Sequence, residues 1–163
     1  MTVHFVLNGE DVVVHVEPNQ RLIDILREEF DLTGAKSACH SGFCGACTVI
    51  FNNTISPSCL IPAFRLRGAK ITTIEGFSKS EEYKDIIKGF KKTGVKNCAY
   101  CNAGKILVTE SLLKRKKTLT REEIAFAFDS IKCRCTDSES LINGVLAAAE
   151  IRERRQKNNA RNN

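Results

Sequence analysis

CHSGFCGACTV, residues 39–49, with SCL following at 58–60, is the stretch around which the rest of the chain arranges itself. It sets Cys39, Cys44 and Cys47 at spacing C-x4-C-x2-C, with Cys59 some distance on. Four thiolates that converge on one small inorganic body need a backbone that turns back tightly around it, with no bulky side chain at the turns. Gly42 and Gly45 answer that need, because glycine accepts positive φ and lets backbone N–H groups point at sulfur. Ala46, between the second and third cysteines, suits the same crowding.

A C-x4-C-x2-C run with an isolated fourth cysteine is the plant-type [2Fe-2S] ferredoxin ligand pattern. Structural zinc sites more often pair one short C-x2-C with another, so zinc is the less typical reading of this loop. Disulfides fit worse, since Cys44 and Cys47 share a tight turn and nothing marks the chain as secreted.

The eight cysteines of the 163 residues fall into two groups, the second being Cys98, Cys101, Cys133 and Cys135. Two groups argue for two small domains, each stapled by a metal centre because its apolar core alone is small. The opening MTVHFVLNGEDVVVHV alternates like strand sequence and has no long apolar run, so neither a signal peptide nor a membrane span is expected. A cytoplasmic protein with reduced thiols follows. The net charge of +6 does not make a nucleic-acid binder: the basic residues are scattered and lack interleaved aromatics for base stacking. The KRKK run at 114–117 reads as the end of a helix, where cations oppose the negative end of the dipole.

Val3, Phe5 and Leu7 alternate, Asn8-Gly9 signals a type I′ turn, and Val12, Val14 and Val16 alternate again, which predicts a β-hairpin. Pro18-Asn19 is expected to stop the strand and cap a helix carrying Leu22, Ile25, Leu26 and Phe30. After the cysteine loop, residues 48–51 read as a strand, Asn52-Asn53 as a turn, Ile55 as the return, and residues 70–74 as the last strand. Strands around one crossing helix describe an α+β, β-grasp unit over residues 1–76. Residues 77–83 are polar and form the candidate linker. Beyond them the apolar period becomes helical, with Thr120 and Glu123 as a capping box and Asp137 or Ser138 capping a last helix. Short connections predict a four-helix bundle over 84–155, and the polar residues 156–163 are expected to be disordered.

Cys98 and Cys101 directly precede one of these helices, and Cys133 and Cys135 another. Two helix N-termini aimed at one point suit a negatively charged thiolate centre. Taken alone this group fits zinc as well as iron and sulfide; the ferredoxin loop upstream tips the balance to a second cluster.

LTGAKSACHSGFCGACTV from Leu32, SCL at Ser58, ITTIEG at Ile71, NCAYCNAGKI at Asn97 and CRCT at Cys133 together resemble the small iron–sulfur subunit of the molybdenum hydroxylases. That group includes xanthine dehydrogenase, aldehyde oxidoreductase, nicotinate dehydrogenase and aerobic carbon monoxide dehydrogenase. The resemblance implies an electron-transfer subunit with two [2Fe-2S] clusters and no catalytic residue of its own. A partner subunit would hold molybdenum and pterin, and another FAD. Electrons would pass from molybdenum to the cluster on Cys98, Cys101, Cys133 and Cys135, then to the cluster on Cys39, Cys44, Cys47 and Cys59, and on to the flavin. Asn97 and Cys135 would lie at the pterin end. Asn97 stands where the family usually has Gln, Lys105 where it has Met, and Asp137-Ser138 where it has Gly-Tyr. His40 is not expected as a ligand, since four cysteines complete the set, and Lys105 is expected to be solvated at the start of a helix, the alternative being a salt bridge to a cofactor phosphate. Xanthine or purine is the expected substrate of the complex. The alternatives are a small subunit of an aldehyde, nicotinate or carbon monoxide dehydrogenase, or a diverged two-cluster carrier serving another oxidoreductase.

Overall fold

The hairpin at the N-terminus forms because Asn8 and Gly9 both take positive φ, 53° and 91°, the combination a type I′ turn requires. In the computed structural model, which describes residues 1–96, 98–115 and 118–161, it pairs β1 (Thr2–Leu7) antiparallel with β2 (Glu10–His15). A second hairpin, β3 (Thr48–Phe51) and β4 (Thr54–Pro57), turns at Asn52 and Asn53, again both at positive φ. The strand β5 (Lys70–Thr72) lies between the hairpins, parallel to β1 and antiparallel to β3. The sheet therefore runs β2-β1-β5-β3-β4. Helix α1 (Leu22–Glu28) packs its fully buried Leu22, Ile23, Ile25 and Leu26 against the inward Val3, Phe5 and Leu7 of β1. This is the β-grasp arrangement expected from the alternation.

Helix α1 starts differently from the expectation. Its first cap position is Arg21 with no side-chain cap, because Arg21 bridges to Pro62 and Leu22 N–H donates to the Ile61 carbonyl at 2.8 Å. A tertiary strand contact thus replaces the local Pro18-Asn19 signal.

The expected last strand and linker are also shorter than the composition suggests. After β5 ends at Thr72, helix α2 (Ile74–Phe77) follows at once, and Ser80 caps α3 (Glu81–Lys92). The junction is tied to the sheet: Asn8 Oδ1 accepts from Thr73 N–H at 2.8 Å, and Glu75 Oε1 accepts from Gly34 N–H at 2.7 Å. Polar side chains that look solvated in the sequence here bond across the chain.

Helix α4 (Asn102–Arg115) is buried continuously from Ala103 to Glu110. A helix covered on every side is a central one. It packs on β3 and β4 as well as on α3 and α5 (Arg121–Phe128), which opens with the expected Thr120–Glu123 capping box. Helix α6 (Ser138–Arg161) crosses α3 closely: a Cβ on Gly89 would lie 2.5 Å from the Ala148 nitrogen. Asp137 supplies its cap, accepting from Ser140 N–H at 2.7 Å. The polar end, expected to be disordered from residue 156, continues α6 as far as Arg161. Helix-favouring residues and anchored arginines explain the extension. Arg155 donates to Asp85 at 2.8 Å and Arg152 to Glu110 at 2.6 Å, joining α6 to α3 and α4. Among the described residues no helix is long and apolar enough to cross a membrane.

Candidate metal centres

The first cysteine group sits in the loop between α1 and β3. Lys36 N–H donates to the Ala46 carbonyl at 2.9 Å and closes the loop at its base. Ser58 then clamps the short 3-10 turn 58–60 onto Cys47, its N–H and hydroxyl donating to that carbonyl at 3.1 and 2.7 Å. This brings Cys59 against Cys47. Inside the loop His40, Gly42 and Gly45 all take positive φ, turning N–H groups inward. Ser41 and Cys44 aim theirs at Cys39 Sγ, at 3.5 and 3.4 Å, and hold that thiol down at about 6. Burial and the contact with Cys47 push Cys59 up to about 11, against a backbone donor from Gly42.

The second group is assembled from the turn before α4 and the loop before α6. Cys98 bonds Cys135, and Cys101 bonds Cys133. The N–H of Tyr100 holds Cys98 low, whereas burial drives Cys101 up to about 12. Burial also works against Cys133, but donation from Cys101 and from the N–H groups of Cys135 and Thr136 outweighs it and lowers that thiol. Cys135 is raised by its bond with Cys98.

All eight cysteines are free thiols. They meet in pairs: Cys44 N–H on Cys39, Cys47 with Cys59, Cys98 with Cys135, and Cys101 with Cys133. A single zinc, with four sulfurs each about 2.3 Å from it, would draw them into one tight knot. Two pairs of thiols in each group fit a two-iron body in which each iron takes two thiolates. The inward N–H groups fit its negatively charged sulfurs.

The two groups are close neighbours. Lys132, adjacent to Cys133, donates its N–H to the Cys44 carbonyl at 3.0 Å. Gly45 lies so near the loop before α6 that an added Cβ would stand 2.3 Å from the Ser130 oxygen. Gly104, on α4, likewise lacks room: its Cβ would fall 2.6 Å from the Gly45 oxygen.

His40 is engaged at both ring nitrogens. Arg21 Nη1 donates to Nδ1 at 2.8 Å, so Nε2 carries the hydrogen and donates to Ser37 Oγ at 2.8 Å. Arg134, between two candidate ligands, is exposed. Asn97 lies outside the described residues, whereas Cys135 is exposed at the surface. Lys105, expected to be solvated, is instead wholly buried, at 0% exposure. Its ammonium donates to the Lys96 carbonyl at 2.6 Å and the Thr136 hydroxyl at 3.3 Å, facing the second cysteine group. Its place four residues after Cys101 puts it near the ligands in the sequence, but nothing there marks it as buried.

Comparison with known proteins agrees with both halves of this architecture. Residues 5–65 match the family described as 2Fe-2S iron-sulfur cluster binding domain, and residues 73–146 that described as [2Fe-2S] binding domain. The chain is 40% identical over 150 residues to the nicotinate dehydrogenase small FeS subunit of Eubacterium barkeri, covering 92% of this chain and 96% of that one. It is 34% identical to the xanthine dehydrogenase iron-sulfur-binding subunit of Escherichia coli O157:H7, over 90% of this chain and 92% of that one. Among solved structures, quinoline 2-oxidoreductase from Pseudomonas putida 86 superposes with a TM-score of 0.85 at 33% identity, covering 94% of this chain and 96% of that one. With two cluster-binding modules in this order and relatives matched along nearly their whole length, the chain belongs to the small [2Fe-2S] iron–sulfur subunits of the molybdenum hydroxylases.

Proposed function

We propose that the chain carries single electrons from a molybdenum–pterin subunit to an FAD subunit, with Cys98, Cys101, Cys133 and Cys135 holding the upstream cluster and Cys39, Cys44, Cys47 and Cys59 the downstream one. The observation that carries this reading is the Cys44 carbonyl accepting the Lys132 N–H at 3.0 Å. It joins a ligand of one centre to the neighbour of a ligand of the other through a single hydrogen bond. Tyr100 and Cys135, exposed beside the upstream centre, and Phe43 and Leu60, exposed beside the downstream one, supply a contact face for each partner. Asn97 and Cys135 are the candidate pterin contacts. The chain itself contributes no group that acts on substrate.

The chain divides into a ferredoxin-like unit, 1–76, and a helical unit, 84–155, the connection 77–83 between them being occupied by the end of α2, the Ser80 cap and the first turn of α3. Each unit has its own apolar core, one built on β1, α1 and β3, the other on α3, α4, α5 and α6. Eight free thiols suit a reducing compartment, so the complex is cytoplasmic.

Xanthine or another purine is the first substrate reading for the complex, supported by the likeness to a xanthine dehydrogenase subunit. Nicotinate is the second, supported by the 40% identity to a nicotinate dehydrogenase subunit. Adding xanthine and nicotinate separately to the purified complex, anaerobically, tests both. Bleaching of cluster absorption by xanthine alone supports the first, bleaching by nicotinate alone overturns it in favour of the second, and bleaching by neither overturns both.

A further inference from the structure

Lys105 is a buried cation without a carboxylate. Its side chain is wholly enclosed, and both its acceptors, the Lys96 carbonyl and the Thr136 hydroxyl, are neutral. The nearest acid along α4, Glu110, is already committed to Arg152 and Lys114. Among the described residues no ion pair to Lys105 forms. An ammonium taken out of water is costly unless an anion or several acceptors compensate it. The groups nearest its charge belong to the second sulfur set: Thr136, which accepts from the ammonium at 3.3 Å, adjoins Cys135, and Lys105 stands four residues after Cys101 on the helix that Cys101 opens. Thr136 fixes the geometry, since its hydroxyl also lies 3.3 Å from the Lys96 carbonyl and so ties the loop of Cys133 and Cys135 to the segment before Cys98.

We infer that Lys105 is the resident counter-cation of the centre held by Cys98, Cys101, Cys133 and Cys135, and that it sets that centre's reduction potential above the value a neutral residue would give. The inference rests on the ligand assignment proposed above. A thiolate-ligated two-iron centre is negatively charged when oxidised and gains one further negative charge on reduction. A fixed positive charge nearby, in a medium less polar than water, therefore stabilises the reduced form more than the oxidised one. Reduction adds one electron, supplied by the molybdenum partner, and makes or breaks no bond at Lys105.

The test is a potentiometric titration, followed by electron paramagnetic resonance, of the full chain reconstituted with iron and sulfide. Lys105→Met and Lys105→Gln are expected to shift the helical centre to a more negative potential while the Cys39 group's centre keeps the parent value. Lys105→Arg is expected to stay near the parent. Unchanged potentials in fully loaded Met and Gln variants would overturn the inference and leave the ligand assignment intact. If Met and Gln variants lose the helical centre's iron but Arg retains it, the counter-cation role stands. If Arg loses it too, shape and not charge is what the site needs, and the inference falls. A parent chain that binds no second centre would overturn the ligand assignment itself.

Discussion

Gly45 shows how tightly single residues are specified around the first centre. Its φ of +72° disfavours any L side chain, and a Cβ there would lie 2.3 Å from the Ser130 oxygen. Gly45→Ala is therefore expected to destabilise the chain by at least about 1–3 kcal/mol from backbone strain alone, read as a fall in the thermal midpoint. A second expectation at this scale concerns acidity in the metal-free chain. A thiol held at about 6 is mostly thiolate at pH 7, and one at about 11 or 12 is not. Alkylation of Cys39 should thus rise with pH through about 6 and level off, while Cys59 and Cys101 stay unreactive at neutral pH. Peptide mapping after pulses at a series of pH values checks this, and equal rates for the three thiols would contradict it. The cysteines were legible in the sequence because ligand spacing is a local property. Lys105 was not, since lysine is ordinarily a solvated residue and only the folded chain reveals its burial and its missing acid.

Elements follow the sequence where local signals decide them and depart from it where distant contacts do. Both Asn-based hairpin turns and the Thr120 capping box could be read directly. Thr120→Ala should cost about 0.5–2 kcal/mol, the usual worth of an N-cap. The start of α1 could not be read, because the bridge from Arg21 to Pro62 replaces a local cap. Nor could the length of α6, whose last turns carry no apolar stripe yet are anchored through Arg152 and Arg155. Arg152 is 9% exposed and pairs at 2.6 Å with Glu110, which is wholly buried. Arg152→Leu would leave that carboxylate only the exposed Lys114 at 3.4 Å and should lower stability by about 2–4 kcal/mol in denaturant unfolding. Deleting residues 157–163 leaves both arginines in place and should change stability by no more than about 0.5 kcal/mol. A large loss on that truncation would mean that the polar end has a structural role which these contacts do not account for.

At the scale of the whole molecule, two separate cores and two separate sulfur sets meet at one seam, where Gly45 and Gly104 admit backbone contact and Lys132 bonds Cys44. Separate cores mean that the centres should fail separately. Cys44→Ser should perturb the ferredoxin-type centre and leave the spectrum of the helical one intact. The order of the two modules could be read from the cysteine spacing, whereas the seam depends on glycines whose role appears only when the helices are placed. The central claim is that electrons cross this seam in one direction, from the helical centre to the ferredoxin-type centre. Rapid mixing of substrate with the assembled Cys44→Ser complex tests it most directly: the helical centre should be reduced at the parent rate while FAD reduction collapses, and FAD reduction at the normal rate would show that electrons do not run through this chain in that order.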